Sequence, residues 1–216
     1  MTPSELMVAT PHGEGRLVTH RARSPVATLL LGHGAGAGID TPDLLALAEN
    51  LPRHDITVTR FEQPWVRAGR KVAPAPAVLD EGLTAGASRL RTRSPLVVGG
   101  RSAGARSAAR TAKRLGAVGC LALAFPLHPP GRPEKSRLPE LRGARVRTLV
   151  VQGERDTMGT PQEFPDDVEV VVVPAADHSF RVPKRAEVSQ DDALDVLVQS
   201  TLEWVVREVV GNVRRL

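Results

Sequence analysis

The chain has 216 residues, of which 41% are hydrophobic and 25% are charged, as expected for one folded domain over residues 1–216. Its net charge of +5 comes from scattered arginines, and only 3% of residues are aromatic, which disfavours binding to nucleic acid by base stacking. One cysteine excludes an internal disulfide, and neither a secretory signal nor a run of roughly 20 apolar residues is visible. The sequence therefore predicts a cytoplasmic protein that makes no membrane contact.

Short apolar runs alternate with longer segments of helical spacing along the chain. The predicted strands cover 6–10, 16–20, 26–31, 56–61, 96–99, 119–125, 147–152 and 168–173, the first two as a hairpin. Helices are predicted from Thr41-Pro42, over 78–90, over 103–115 and from Ser189, where Asp192 completes a capping-box pattern. The last helix carries an apolar stripe: Leu194, Leu197, Val198, Leu202, Val205, Val206 and Val209.

This alternation predicts an α/β fold, with a doubly wound, mostly parallel sheet, helices on both faces and an antiparallel hairpin at its start. No segment after Ser102 is long enough to form a separate lid domain. Ligands of such sheets bind beyond the carboxyl ends of the strands, so functional groups are expected in the loops that follow strands.

The stretch LVVGGRSAGARSAAR, residues 96–110, places a G-x-S-x-G pattern between a predicted strand and a predicted helix. Such a turn lifts the hydroxyl of Ser102 off the sheet, and glycine at 100 and 104 removes side chains that would collide there. The backbone N–H of Ala103 lies at a helix N-terminus, where unpaired donors favour negative charge. Ser102 is therefore predicted to be a nucleophile and Ala103 an oxyanion donor.

The glycine-rich loop GHGAGAG, residues 32–38, follows another predicted strand. It lacks the lysine and the Ser or Thr of a Walker loop, and its spacing is not that of a G-x-G-x-x-G motif. The remaining interpretation is that the loop provides a backbone N–H group that can donate a hydrogen bond to an oxyanion, and Ala35 is the candidate residue. His33 is expected to hold this loop rather than to take part in the chemistry.

Carboxylates and histidines follow the later strands. Asp156 is predicted to orient a catalytic histidine, with Glu154 as the rival carboxylate. His178 is the candidate general base, and the adjacent Asp177 is expected to shape the loop. His128 follows another strand at the same edge of the sheet and is a candidate substrate contact.

The order Ser102, Asp156, His178 is that of the α/β-hydrolases, which this chain resembles over nearly its whole length. More narrowly it resembles the dienelactone-hydrolase-like branch. The segments HGAGAG, GGRSAGAR, FPLHPPGRPEK and ADHSF are similar to a subfamily of small capless hydrolase-like proteins, which includes the testis-expressed hydrolase-like protein and a subunit of a chromatin acetyltransferase complex. The resemblance implies a triad of Ser102, Asp156 and His178 with oxyanion donors Ala35 and Ala103. Dienelactone hydrolases proper have cysteine at the turn, so the serine argues against their substrate.

Two further features have open interpretations. Arg101 either binds an anionic group of the substrate or pairs with a carboxylate behind the turn. The proline-rich segment 125–133 is either a rigid loop or a wall of the pocket. Basic residues on the outward face of the following helix are expected to be solvated, and these are Arg106, Arg110, Lys113 and Arg114.

The predicted function is that of a serine hydrolase which cleaves an ester or thioester of a small molecule through an acyl-enzyme at Ser102. No metal or organic cofactor is needed for that chemistry. The alternative is a hydrolase-shaped scaffold, weak or inactive in catalysis, that binds proteins. A peptidase is a third and less favoured interpretation, and the oligomeric state is left open.

Overall fold

The predicted strands pair into one sheet in the computed structural model, which describes residues 2–90 and 92–211. Within those residues the strands are β1 (Ser4–Thr10), β2 (Gly13–His20), β3 (Ala27–Gly32), β4 (Ile56–Glu62), β5 (Leu96–Arg101), β6 (Gly119–Leu123), β7 (Arg147–Gly153) and β8 (Glu169–Val173). Their order across the sheet is β1-β2-β4-β3-β5-β6-β7-β8. The β1–β2 and β2–β4 pairs are antiparallel, and the other pairs are parallel.

The helices of the described residues lie between or after these strands. They are α1 (Pro42–Asn50), α2 (Pro64–Arg67), α3 (Pro76–Ser88), α4 (Ala103–Thr111), α5 (Leu138–Arg142) and α6 (Gln190–Trp204), which continues as a π-helical segment over Val205–Val210. Short 3₁₀ turns occur at Leu51–His54 and Pro161–Glu163. None of these helices is both long and apolar enough to cross a membrane.

The core lies in two clusters on opposite faces of the sheet. Side chains alternate along a strand, and in β3 Leu29 and Leu31 pack in one cluster while Leu30 packs in the other. Residues of α1 and α6 complete the first cluster, and residues of α3, α4 and α5 complete the second. A mostly parallel sheet with helices on both faces and a hairpin at its start confirms the predicted fold class.

Several predicted boundaries were wrong. β6 ends at Leu123, two residues earlier than predicted, because Ala124 adopts a left-handed φ of 43° that an extended strand cannot include. α3 ends at Ser88, so Leu90 lies beyond it. α4 ends at Thr111, and a turn replaces the last residues predicted to be helical.

The predicted starts of α1 and α6 differ in outcome. Pro42 begins α1, but Thr41 makes no side-chain cap hydrogen bond. Ser189 caps α6 as predicted, because its side chain accepts a hydrogen bond from the N–H of Asp192. The stripe predicted for this helix was too wide: Val206, which lies in the π-helical segment after α6, is 49% exposed.

Candidate active site

The carboxyl ends of β3, β5, β7 and β8 meet at one edge of the sheet, because these strands are parallel. Ser102 directly follows β5, Asp156 lies in the loop after β7, and His178 lies in the loop after β8. The topology thus brings to one edge three side chains that are far apart in the sequence.

Ser102 occupies a strained turn between β5 and α4. Its backbone has φ 53° and ψ −110°, outside the regions that a serine ordinarily adopts, and its N–H donates a 2.9 Å hydrogen bond to the carbonyl of Leu123. The turn passes so close to β3 that a Cβ on Gly100 or on Gly104 would lie 2.5 Å from the carbonyl oxygen of Gly32. Glycine at both positions is therefore what lets α4 begin directly behind β5.

The imidazole of His178 lies between the hydroxyl and the carboxylate. Its Nε2 is 3.0 Å from Oγ of Ser102, and its Nδ1 is 2.7 Å from Oδ2 of Asp156. The side chain of Asp156 has no exposed surface, whereas that of His178 is 20% exposed. Because an ionised carboxylate only accepts hydrogen bonds, Nδ1 of the neutral ring carries the proton and Nε2 is free to accept the Ser102 proton.

Asp156 is held by groups other than the histidine. Its Oδ1 accepts a 2.8 Å hydrogen bond from the N–H of Met158, and its Oδ2 accepts a 2.9 Å bond from Nε2 of Gln152. Gln152 is fully buried, and its amide also bonds both backbone groups of Phe125 and the carbonyl of Gly159. The sequence analysis missed Gln152, although a lone amide at the end of an otherwise apolar strand was a usable signal.

The rival carboxylates have other partners. Glu154 accepts a 2.7 Å hydrogen bond from the N–H of Ala175. Asp177 accepts hydrogen bonds from the N–H groups of Ser179 and Arg181, which shapes the loop that carries His178. Neither carboxylate takes the place of Asp156 at the imidazole.

Of the two candidate oxyanion donors, Ala35 lies in the loop after β3 and is among the described residues that line a cavity of about 680 Å³ with Ser102 and His178, whereas Ala103 directly follows Ser102 in the chain and is not among them. Ala103 is the first residue of α4, where the backbone N–H has no acceptor within its own helix.

His33 holds the loop that contains Ala35. Its Nδ1 lies 2.8 Å from the carbonyl of Gly34, and its Nε2 accepts a 3.1 Å hydrogen bond from the N–H of Gln63. Burial lowers the pKa of the His33 imidazole, which keeps the ring neutral and able to accept that bond.

Arg101 precedes the serine and points beneath the site. Its Nη2 donates to Oγ of Ser179 at 2.9 Å and to the carbonyl of His178 at 3.3 Å. Its Nε lies 3.7 Å from Oδ2 of Asp43, in the first turn of α1. The side chain thus has a carboxylate partner within the protein, although its edge also reaches the cavity wall.

His128, the predicted substrate contact, is not among the described residues that line the cavity. Its two ring nitrogens bond the carbonyl of Pro129 and Oε2 of Glu163, and its own N–H donates to the carbonyl of Met158. The ring is therefore engaged in holding the segment 125–133. That segment also contributes no described residue to the cavity wall, which favours the rigid-loop interpretation.

Two arginines of α4 that were expected to be solvated are half-buried in ion pairs. Arg106 bonds Glu140 of α5 at 2.6 and 2.9 Å, and Arg110 bridges Glu140 and Asp80 of α3. The expectation was wrong because these acidic partners lie 30 and 34 residues away in the sequence. The pairs fix α4, whose first turn follows Ser102, to both neighbouring helices.

A family model described as an alpha/beta hydrolase domain matches residues 25–206. The chain belongs to the α/β-hydrolase family. The match begins after the β1–β2 hairpin and includes every candidate site residue discussed above. As a member of this family, the chain places its site at the edge of the sheet where the strands end, as the fold predicts.

Solved structures with this α/β-hydrolase fold are similar over almost the whole chain. A serine hydrolase without a lid from Xanthomonas campestris has a TM-score of 0.71 at 20% identity, covering 94% of this chain and 95% of that one. A serine hydrolase homologue from Coxiella burnetii has a TM-score of 0.72 at 18% identity, with coverage of 93% and 98%. A dienelactone hydrolase from Anabaena variabilis has a TM-score of 0.71 at 18% identity, with coverage of 97% and 100%.

Within the described residues of this α/β-hydrolase, no group of three or more His, Cys, Asp or Glu side chains is placed to hold a metal ion. The groups available at the cavity are a hydroxyl, an imidazole, a buried carboxylate and backbone N–H donors. This set of groups can carry out acyl transfer.

Proposed function

We propose that the protein is a serine hydrolase that cleaves an ester or thioester of a small molecule through an acyl-enzyme at Ser102. The observation that carries this proposal is the position of the His178 ring, which lies 3.0 Å from the Ser102 hydroxyl and 2.7 Å from the Asp156 carboxylate. Membership of the α/β-hydrolase family and similarity to lidless serine hydrolases support it.

In the proposed reaction, Nε2 of His178 takes the proton of Ser102 as its oxygen attacks the carbonyl carbon. The negative charge that develops on the carbonyl oxygen is accepted by the N–H groups of Ala35 and Ala103, each contributing about 3 kcal/mol to lowering the barrier. Asp156 stabilises the imidazolium. His178 then protonates the leaving alcohol or thiol, and a water molecule releases the acyl group by the same steps in reverse.

An ester or thioester is favoured over a peptide because amide substrates often need a gating domain, and no segment after Ser102 is long enough to form one. The cavity has a volume of about 680 Å³, and its lining includes small residues, such as Ala35 and Gly36, and larger ones, such as Met158 and Phe180. The leaving group needs only one proton from His178, so no metal or organic cofactor takes part in the proposed steps. A location in the cytoplasm and kinship with the small capless subfamily remain parts of this proposal.

The test is covalent labelling of the native protein by a fluorophosphonate, followed by mass spectrometry of the modified peptide. We expect one adduct on Ser102, and turnover of p-nitrophenyl acetate that falls by roughly 10³–10⁶-fold in Ser102→Ala. Ser107→Ala, five residues further along in α4, is the matched control and should keep the adduct and the turnover. Native wild-type protein that forms no adduct would instead support the protein-binding scaffold.

A further inference from the structure

The guanidinium of Arg101 joins the parts of the site that come from different loops. It bonds the His178 carbonyl and the Ser179 hydroxyl in the loop after β8, and it lies near Asp43 in the first turn of α1. Its Nη1 lies against the loop after β3, where a Cβ on Gly34 would be 3.0 Å away. Arg101 itself is the last residue of β5, directly before Ser102. The side chain of Arg101 therefore contacts both the loop after β8, which carries His178, and the loop after β3, which carries Ala35.

Asp43 is an unusual neighbour for this arginine. Its side chain is 1% exposed, and among the described residues no hydrogen bond of good geometry reaches its carboxylate oxygens. Burial raises the pKa of Asp43, whereas the nearby charge of Arg101, together with contacts from the Thr41 hydroxyl and the N–H groups of Asp43 and Leu44, acts in the opposite direction. A carboxylate buried in this way costs stability unless a cation offsets it, and Arg101 is the cation that lies beside it.

This pairing favours the interpretation in which Arg101 pairs with a carboxylate behind the turn. The arginine side chain is only 9% exposed, its charge is balanced within the protein, and its Nη2 is already used by the loop that carries His178. A substrate anion would have to displace these contacts. The same contacts restrict the backbone of His178 directly, because the accepting carbonyl is that residue's own.

We propose that the buried Arg101–Asp43 pair positions the loop that carries His178, so that the imidazole stays within hydrogen-bonding distance of the Ser102 hydroxyl. This inference rests on the proposed function, because it assigns Arg101 a role in the same site. Arg101 acts through His178 and is a positioning residue. The contact from Arg101 adds to the hydrogen bonds by which Asp177 shapes the same loop and Asp156 holds the ring. Misplacement of a reacting group by about 1 Å can cost on the order of 10²-fold in rate.

The experiment compares Arg101→Gln, Arg101→Lys and Asp43→Asn with wild type, using p-nitrophenyl acetate turnover and NMR of the His178 ring nitrogens. We expect kcat to fall about 10–100-fold in Arg101→Gln and Asp43→Asn, with KM within about threefold. The double variant should be no worse than the poorer single variant, because the two residues act as a unit. Arg101→Lys should recover part of kcat, since it keeps the charge but not the planar fork.

The matched control is Asp80→Asn, which removes the carboxylate from another half-buried Asp–Arg pair, neither member of which is among the described residues that line the cavity. It should keep kcat within about twofold. In Arg101→Gln, the Nδ1–H resonance of His178 should broaden or shift, whereas in Asp80→Asn it should stay as in wild type. If Arg101→Gln fails to fold, Ser179→Ala removes one acceptor of Arg101 while leaving the buried pair, and it should lower kcat several-fold.

Two results would overturn the proposal. One is a rise in KM at unchanged kcat in Arg101→Gln, which would make Arg101 a substrate contact. The other is an unchanged kcat together with an unchanged His178 resonance. Failure of the proposed function is a separate outcome: wild-type protein would then show neither adduct nor turnover, and the NMR comparison would still decide whether Arg101 positions the ring.

Discussion

The side-chain amide of Gln152 donates a 2.9 Å hydrogen bond to Oδ2 of Asp156, the same oxygen that lies 2.7 Å from Nδ1 of His178. The amide therefore fixes the carboxylate that orients the imidazole. It is itself fixed by Phe125, whose N–H and carbonyl it bonds. An apolar residue of similar size at this position would leave several buried groups without partners.

We predict that Gln152→Leu lowers the free energy of unfolding by about 1–3 kcal/mol, because buried polar groups lose their hydrogen bonds. It should also reduce kcat for p-nitrophenyl acetate, since Asp156 loses one of its donors. Urea unfolding and steady-state kinetics check both effects. Gln162→Leu, at an exposed position, is the control and should change stability by less than about 0.5 kcal/mol. Equal stability of the two variants would contradict the role given to the Gln152 network.

Amide substitutions of the same shape can show which of the two carboxylates near His178, Asp156 or Asp177, orients its imidazole. Asp156→Asn should lower kcat by roughly 10²–10⁴-fold, because an amide donor at Nδ1 selects the wrong tautomer of the ring. Asp177→Asn should stay within a few-fold of wild type, because its remaining oxygen still accepts from the N–H groups of Ser179 and Arg181. Steady-state kinetics with p-nitrophenyl acetate measures both. A loss in Asp177→Asn as large as that in Asp156→Asn would mean that the carboxylate has been misassigned.

The close approach of α4 to β3 makes Gly104 intolerant of any side chain. A Cβ there would lie 2.5 Å from backbone atoms of Gly32, and backbone cannot move aside without shifting a central strand. Gly104→Ala should therefore destabilise the protein by about 1–3 kcal/mol or more. Gly36→Ala is the matched control, because a Cβ at that position meets nothing within 4 Å. Thermal unfolding of the two variants gives the comparison, and similar Tm values would contradict the packing argument.

Burial of His33 makes stability depend on pH. Its pKa in the folded protein lies below the ordinary value of 6.5, so below that pH the unfolded chain binds a proton that the folded chain does not. The free energy of unfolding should fall between about pH 7.5 and about pH 5.5, and the fall should be smaller in His33→Gln, which cannot titrate. Urea denaturation at the two pH values provides the measurement. His54→Gln, at an exposed position, should keep the wild-type dependence, and an identical slope in His33→Gln would refute the assignment.

The meeting of Ser102, Asp156 and His178 could be predicted from the sequence because each residue lies directly after an apolar run or in the loop that follows one, and parallel strands end at a common edge. Ala124 shows why boundaries were harder to predict: its left-handed φ is imposed by contacts that no local pattern encodes. Gln152 and Asp43 were missed for a related reason. Their importance lies in being buried next to another charge or polar group, and a single sequence does not state which partner a side chain meets.

The ion pairs of α4 show the same limit of sequence-based prediction on a helix surface. They join Arg106 and Arg110 to Glu140 and Asp80. Spacing along α4 placed the arginines on the face away from the sheet, which is where they lie, but a face away from the sheet can still meet other helices. Periodicity predicts which side of a helix is apolar, whereas the contacts of its charged side depend on the tertiary arrangement.

The β1–β2 hairpin has a consequence for solubility. β2 pairs with β4, which is buried along nearly its whole length, and so covers a row of backbone donors and acceptors that could otherwise recruit a strand from another molecule. Arg16 reinforces this cover by bonding Glu5 on one neighbour and Glu62 on the other. A chain shortened to begin after residue 20 would retain every group assigned to catalysis, yet its first defect would be self-association and precipitation rather than lost chemistry.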